Sequence, residues 1–303
     1  MNARSNETVV HWCAVASRRA SRLYDSSSSR RHRKKSMQEN TMPRISAGGL
    51  TSFYRDEGDP ALPVLVLAHP VGADHGIWDA VVPKLSGHFR VVRYDLHGHG
   101  GTDVVDHQYT LQRLADDVLS LLGEIDVDEF SFCGISLGGL TGLEIAARGE
   151  RRLQRLLVAN TPTKLPLSHE QWNEIIAIAR TKGTSASVDS MINRMFSESF
   201  REHASPSFHS AIRTYLCTSP IGYAAGLTAL RDSDVHAKLG QITCKTKVVG
   251  STEDLAVPRD SVARMAERIP DASLTTLAGG HFSALENPAG LAQAVFDLHG
   301  IRT

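Results

Sequence analysis

Four cysteines in 303 residues are too few and too scattered to staple a small secreted fold. Cys13, Cys133, Cys217 and Cys244 include no C-x-x-C pair, so the sequence gives no zinc-ribbon or thioredoxin-type spacing and no metal site is expected. Reduced thiols and a cytoplasmic setting are the expectation from that usage. No run of 18 or more apolar residues occurs, which excludes a membrane-spanning helix. An excess of either charge is also missing, with 33 Lys and Arg against 33 Asp and Glu. The balance hides an asymmetry. Residues 1–41 hold nine basic and three acidic side chains, so residues 42–303 carry 24 basic and 30 acidic ones. A mildly acidic body argues against a nucleic-acid-binding globule.

What is present is a core-forming composition, 41% apolar and 22% charged. Residues 1–41 are the exception. The run Ser26–Lys35 cannot bury enough apolar area to offset its ordering entropy, and an unstructured basic, Ser-rich extension is expected, with Met42 as the natural first residue.

From Ile45 the pattern changes. Thr51–Arg55 alternates like an edge strand, and Val64–Ala68 is a continuous apolar run of the kind a buried parallel strand requires. Further strands are read at Phe89–Tyr94, Phe130–Ile135, Leu153–Ala159, Lys245–Gly250 and Ser273–Ala278. Helical spacing falls at Leu111–Leu122 and Leu137–Ala147, near Arg259–Arg268 and near Ala289–Leu298. Alternating strands and helices predict an α/β fold with a mostly parallel twisted sheet flanked by helices. Residues 162–232 break the rhythm with four helical segments and no strand, at Glu170–Arg180, Ser187–Ser197, Ser207–Leu216 and Tyr223–Arg231. A helical lid over a core of 42–161 and 233–303 is the expected organisation.

The chemistry is read at strand C-termini. Gly134-Ile135-Ser136-Leu137-Gly138 is a G-x-S-x-G pattern between a strand and a helix. A serine on so sharp a turn needs neighbours without side chains, and the turn lifts its hydroxyl clear of the sheet. Ser136 is the candidate nucleophile. The Leu137 N–H, at a helix N-terminus, is a candidate oxyanion donor. A serine hydroxyl needs a base, and in this arrangement the chain order is Ser, acid, His. His281 follows the last strand and is the candidate base. Asp254 follows the penultimate strand and would hold the imidazole, with Glu253 as the rival acid. After the first buried strand comes His69-Pro70-Val71-Gly72. Pro70 has no N–H, so Val71 is the second candidate donor. His97 and His99, in the loop Asp95–Gly100, read as structural or rim residues rather than metal ligands.

These segments resemble the α/β-hydrolase superfamily over residues 45–300, and within it the 3-oxoadipate enol-lactonase-like hydrolases. The resemblance rests on Val71–Asp74 with Ile77–Asp79, on Arg93–Gly100, on Phe132–Gly139 with Leu156–Thr161, and on Gly222–Ala225 with Ala229–Asp232. It implies hydrolysis of a small carboxylate-bearing enol-lactone to 3-oxoadipate, in aromatic catabolism and without a cofactor. A cation in the lid pocket would then be needed, with Arg194, Arg213 and Arg231 as candidates, and Trp172 and Tyr223 on the pocket wall or in the lid core. His69-Pro70, and Trp172 followed by Asn173 rather than Arg, depart from the family's pattern. A general carboxylesterase, a cofactor-free perhydrolase or haloperoxidase, or a C–C bond hydrolase would use the same three residues. A non-catalytic hydrolase-fold binding protein is the reading from another class. Oligomeric state has no signal in the sequence.

Overall fold

The computed structural model describes residues 44–106 and 109–302. The expected disorder of residues 1–41 lies outside them. Eight strands form one sheet: β1 (Arg44–Ala47), β2 (Leu50–Glu57), β3 (Val64–Ala68), β4 (Arg90–Tyr94), β5 (Phe130–Ile135), β6 (Leu153–Ala159), β7 (Lys245–Ser251) and β8 (Ala272–Leu277). Their spatial order is β1-β2-β4-β3-β5-β6-β7-β8. The first two pairings in that order are antiparallel and all the others parallel. This is the mostly parallel sheet the alternation predicts.

One strand departs from expectation. Thr51–Arg55 lies in β2, which is not an edge, because β1 folds back on it as a hairpin. Gly48 and Gly49 both take positive φ, +59° and +84°, at that turn. Four alternating residues were too short a signal to read as a strand of their own.

The central strands explain the two-layer packing. Successive side chains of a strand point to opposite faces. Val66, Ala68, Phe132, Leu156, Val158 and Val248 enter one buried cluster; Leu65, Leu67, Cys133, Leu157, Ala159 and Val249 enter the other. The first face is covered by α2 (Leu111–Glu124), α3 (Leu137–Ala147) and α9 (Arg259–Arg268), which contribute Leu114, Leu140 and Met265. The second is covered by the short α1 (Val82–Leu85) and by α11 (Pro288–His299), with Leu85 and Leu291. Ten of the eleven residues of α3 are buried, so it is enclosed all round rather than lying half in solvent.

Between β6 and β7 lie α4 (His169–Lys182), α5 (Val188–Met195), α6 (Glu198–His203), α7 (Pro206–Cys217) and α8 (Pro220–Asp232), with no strand. The sequence marks four of these. The short α6 is the addition, closed at its start by the Ser197 hydroxyl, which accepts from the Phe200 N–H.

The thiol expectation needs one correction. Cys133 and Cys244 are free, but Cys217 is disulfide-bonded. Whether two sulfurs meet depends on their distance in the fold, which spacing along the chain does not report. Among the described residues no helix is long and apolar enough to cross a membrane.

Candidate active site

Parallel strands deliver their C-termini to one edge of the sheet, where doubly wound folds place their chemistry. Ser136 ends β5 and begins α3 with φ +53° and ψ −114°, a backbone state rare for any residue with a side chain. Its hydroxyl does not cap the helix it begins, so it is not spent on local structure. The neighbouring glycines show why the pattern is needed. A Cβ on Gly134 would stand 2.6 Å from the Gly139 nitrogen, and one on Gly138 would stand 2.6 Å from the Ala68 carbonyl carbon. At Gly139 a Cβ would collide with the Thr161 hydroxyl. The elbow is therefore clamped between β3, α3 and the end of β6.

A line of hydrogen bonds runs along the strand ends. The Ser136 N–H donates to Ala159 O at 3.1 Å. The next residue, Asn160, donates from its backbone to Val249 O at 2.8 Å and from Nδ2 to Asp254 Oδ2 at 2.9 Å. The same Oδ2 lies 2.9 Å from His281 Nδ1. The second oxygen, Oδ1, accepts the Ala256 and Val257 N–H groups at 2.8 and 3.0 Å. Asp254 is 9% exposed and His281 3%. Burial alone would raise the Asp254 pKa, but the imidazole and these donors outweigh it and hold the carboxyl below its ordinary value. A carboxylate is acceptor-only, so the Nδ1 it meets is the protonated nitrogen and Nε2 is left bare. The rival acid, Glu253, is exposed to solvent.

Sequence reasoning missed Asn160. It sits at φ +48°, a state that asparagine tolerates better than most residues, one step past β6. Its place at a strand end was the available signal.

The side chains of the two candidate donor residues meet beside α8. A Cβ on Gly226 would lie 2.7 Å from Val71 Cγ2 and 3.5 Å from Leu137 Cδ2. Leu137 opens α3, where the N–H has no partner within the helix. The Val71 N–H makes no hydrogen bond to other described residues. Next to it, the Gly72 N–H donates to His99 Nε2 at 3.0 Å. The His99 Nδ1–H donates to His97 O at 3.0 Å, so Nε2 is the bare acceptor. His69 behaves alike, donating from Nδ1 to Pro70 O at 2.8 Å and accepting the Leu96 N–H on Nε2 at 2.8 Å. Burial, with the nearby His99, pushes the His69 pKa down to about 3; burial also lowers that of His99. Both rings are neutral struts beneath the Val71–Gly72 turn.

The inserted helices carry the remaining candidates. Trp172 is buried in the cluster that also holds Ala224 and Ala225 of α8. Arg231 is committed to Asp232 and to Asn173 Oδ1 at 2.7 Å. Arg213 is exposed. Tyr223 packs against Gly72, where a Cβ would come within 3.1 Å of its ring. Its hydroxyl accepts from the Tyr215 hydroxyl at 2.9 Å, and Tyr215 in turn lies 2.8 Å from Ser187 Oγ. The Tyr223 pKa is pushed up by burial and by Tyr215, and drawn down by the charge of Arg194.

A cavity of about 320 Å³ borders this region, lined by Gly72, Asp74, Ser207, Thr214, Tyr215 and Phe282 among others. Among the described residues no Lys or Arg lines it. Of the candidate arginines, Arg194 and Arg213 are exposed and Arg231 pairs with Asp232 and Asn173.

The comparisons with known proteins agree with this fold. The Alpha/beta hydrolase family model matches residues 65–294. The chain is 31% identical over 240 residues to 3-oxoadipate enol-lactonase 1 of Acinetobacter baylyi, covering 79% of this chain and 90% of that protein. The enol-lactonase from Burkholderia xenovorans LB400 superposes with a TM-score of 0.81 at 32% identity, covering 85% of this chain and 100% of the other. A thermophilic esterase from Thermogutta terrifontis, in a malate-bound structure, superposes with a TM-score of 0.78 at 27% identity, covering 86% and 99%. A sharp serine turn after the central strand of a mostly parallel sheet, with an aspartate and a histidine at its following strand ends, thus stands in a chain that belongs to the alpha/beta hydrolase family.

Proposed function

We propose that this hydrolase opens a small enol-lactone bearing a carboxylate, of the 3-oxoadipate enol-lactone type, through an acyl-enzyme on Ser136. The observation that carries the reading is the Asp254–His281 hydrogen bond, tied through Asn160 to the strand end beside Ser136. The likeness to two enol-lactonases supplies the bond type.

In this mechanism Ser136 Oγ adds to the lactone carbonyl while its proton passes to the bare Nε2 of His281. Asp254 stabilises the imidazolium that forms and keeps the ring in the productive tautomer. The oxyanion lies between the Val71 and Leu137 N–H groups, each supplying about 3–4 kcal/mol of barrier lowering. Collapse breaks the ring C–O bond, and His281 returns the proton to the enol oxygen. The leaving enol stays attached to the acyl group. Water then adds to the acyl-enzyme with His281 as base and releases the dicarboxylate.

The inserted helices act as the lid that selects the substrate. Tyr223 supports a carboxylate subsite. Its oxygen already accepts from Tyr215, so its own proton is available to a ligand, and the positive field of Arg194 reaches the same place. A second reading is an esterase for uncharged or hydroxylated acyl groups, which would use the same three residues and is supported by the likeness to the thermophilic esterase. Rates on enol-lactones, lactones and p-nitrophenyl esters, with peroxide plus acetate as a further arm, separate the two. Enol-lactone turnover no faster than simple ester turnover sinks the lactonase reading. Ser136→Ala should abolish turnover while leaving ligand binding intact.

A further inference from the structure

Glu286 closes the short helix α10 (Ser283–Glu286), five residues beyond His281, and has no part in the acyl transfer described above. Its carboxylate is partly buried between the His281 loop and the inserted helices. Three donors converge on it. The Gly280 N–H donates to Oε2 at 3.0 Å, the Ser197 N–H donates to Oε1 at 3.2 Å, and the Ser197 hydroxyl donates to Oε2 at 2.5 Å. Gly280 immediately precedes His281. Ser197 lies between α5 and α6.

A second tie crosses the same seam, from the His281 N–H to Met195 O at 2.8 Å. The fit is close: a Cβ on Gly280 would come within 2.7 Å of Glu286 Oε1 and of the Ser197 nitrogen, and 2.8 Å from Met195 O. Burial, aided by the charge of Glu253, raises the Glu286 pKa by more than the three donors lower it. No cation pairs with the carboxylate in this seam among the described residues. An acceptor-only group with two oxygens is what three converging donors require, and an amide or a protonated acid would turn a donor toward donors.

We propose that Glu286 is a positioning residue, holding the loop that carries His281 against the inserted helices at Met195–Ser197 and so setting where the imidazole stands. The inference rests on the reading of His281 as the base. It explains how a substrate-selecting segment and a catalytic side chain from the far end of the chain keep a fixed relation. The carboxylate acts only through the loop, because its partners are backbone amides and one hydroxyl.

The test uses the full chain with Glu286→Gln and Ser197→Ala, singly and together. The Nδ1 proton of His281, bonded to Asp254, is followed by NMR beside steady-state kinetics on whichever ester or lactone the enzyme turns over. Glu286→Gln is expected to displace or broaden that resonance and to lower kcat at least tenfold. KM should change less than threefold, with the melting temperature close to wild type. Ser197→Ala is expected to give the same split a few-fold in size, and the double variant should be no worse than Glu286→Gln alone. An unmoved resonance with kcat within twofold of wild type overturns the proposal, as does full additivity of the two substitutions. Should Glu286→Gln fail to fold, the resonance and the kcat-to-KM split of Ser197→Ala decide. A displaced resonance with undiminished turnover supports the positioning role and sinks the reading of His281 as base.

Discussion

The Gly72 N–H donates to Nε2 of His99 at 3.0 Å, which makes a buried imidazole the support of the turn that presents the Val71 N–H. On the proposed mechanism His99 acts on the oxyanion site through that turn, without touching it. His99→Ala should lower kcat by about 10–100-fold, less than the 10²–10³ typical of losing a donor outright. KM should move little. Unchanged kcat in a folded His99→Ala protein would remove the turn from the mechanism.

Acid stability follows from the same rings. The folded pKa of His69 is about 3 against 6.5 unfolded, and that of His99 is also lowered. Between these values the unfolded chain binds more protons, so folding stability rises with pH. His69 removes up to about 1.4 kcal/mol per pH unit as pH falls from 6.5 toward 3, and His99 acts in the same direction. Urea unfolding at pH 6.5 and 5.5 should show the loss, and His69→Gln should flatten the slope. An identical slope in that variant refutes the assignment.

The elbow glycines are steric requirements. Gly138→Ala would press a methyl against the Ala68 carbonyl, and the backbone must shift. A cost of about 1–3 kcal/mol or more is expected, with loss of turnover. Thermal unfolding and active-site titration check it. A stable, active Gly138→Ala enzyme would mean that the turn has slack the packing does not show.

Asp254 and Asn160 should differ in degree. Asp254→Asn keeps the shape but favours the wrong imidazole tautomer, and a fall in kcat on the order of 10⁴-fold is expected. Asn160→Ala removes one donor to the carboxylate and should cost about 1–3 kcal/mol of stability or barrier. If both variants lose activity equally, the aspartate is not acting through its charge and tautomer control.

The Tyr223 hydroxyl gives the lid a test of its own. Tyr223→Phe should raise KM about tenfold for carboxylate-bearing lactones and leave p-nitrophenyl acetate unaffected. Tenfold is about 1.4 kcal/mol, the low end of what one hydrogen bond to a charged group contributes. Equal effects on both substrates would place Tyr223 in packing rather than recognition.

Several elements were legible along the chain because their cause is local. Phe130–Ile135, Leu137–Ala147 and Leu153–Ala159 have the same bounds in sequence and structure. Their apolar runs and spacing are long enough to leave one choice. β1 and α6 were not legible, at four and six residues. The fate of Cys217 was not legible either, since nothing in its neighbours along the chain says which sulfur it meets.

The amino-acid order by itself determined the alternating α/β plan, the G-x-S-x-G turn, and an aspartate and a histidine at later strand ends, because backbone sterics and hydrophobic periodicity act over a few residues. Only the tertiary structure decided that Asp254 rather than Glu253 meets His281, that Asn160 binds the same carboxylate, and that His99 props the Val71–Gly72 turn. It also decided that Arg231 is spent on surface partners and that Glu286 ties the histidine loop to the inserted helices. Those relations join residues up to 94 positions apart. They depend on sheet order and on which loops meet above the strand ends, and a distance of that kind has no counterpart in local sequence.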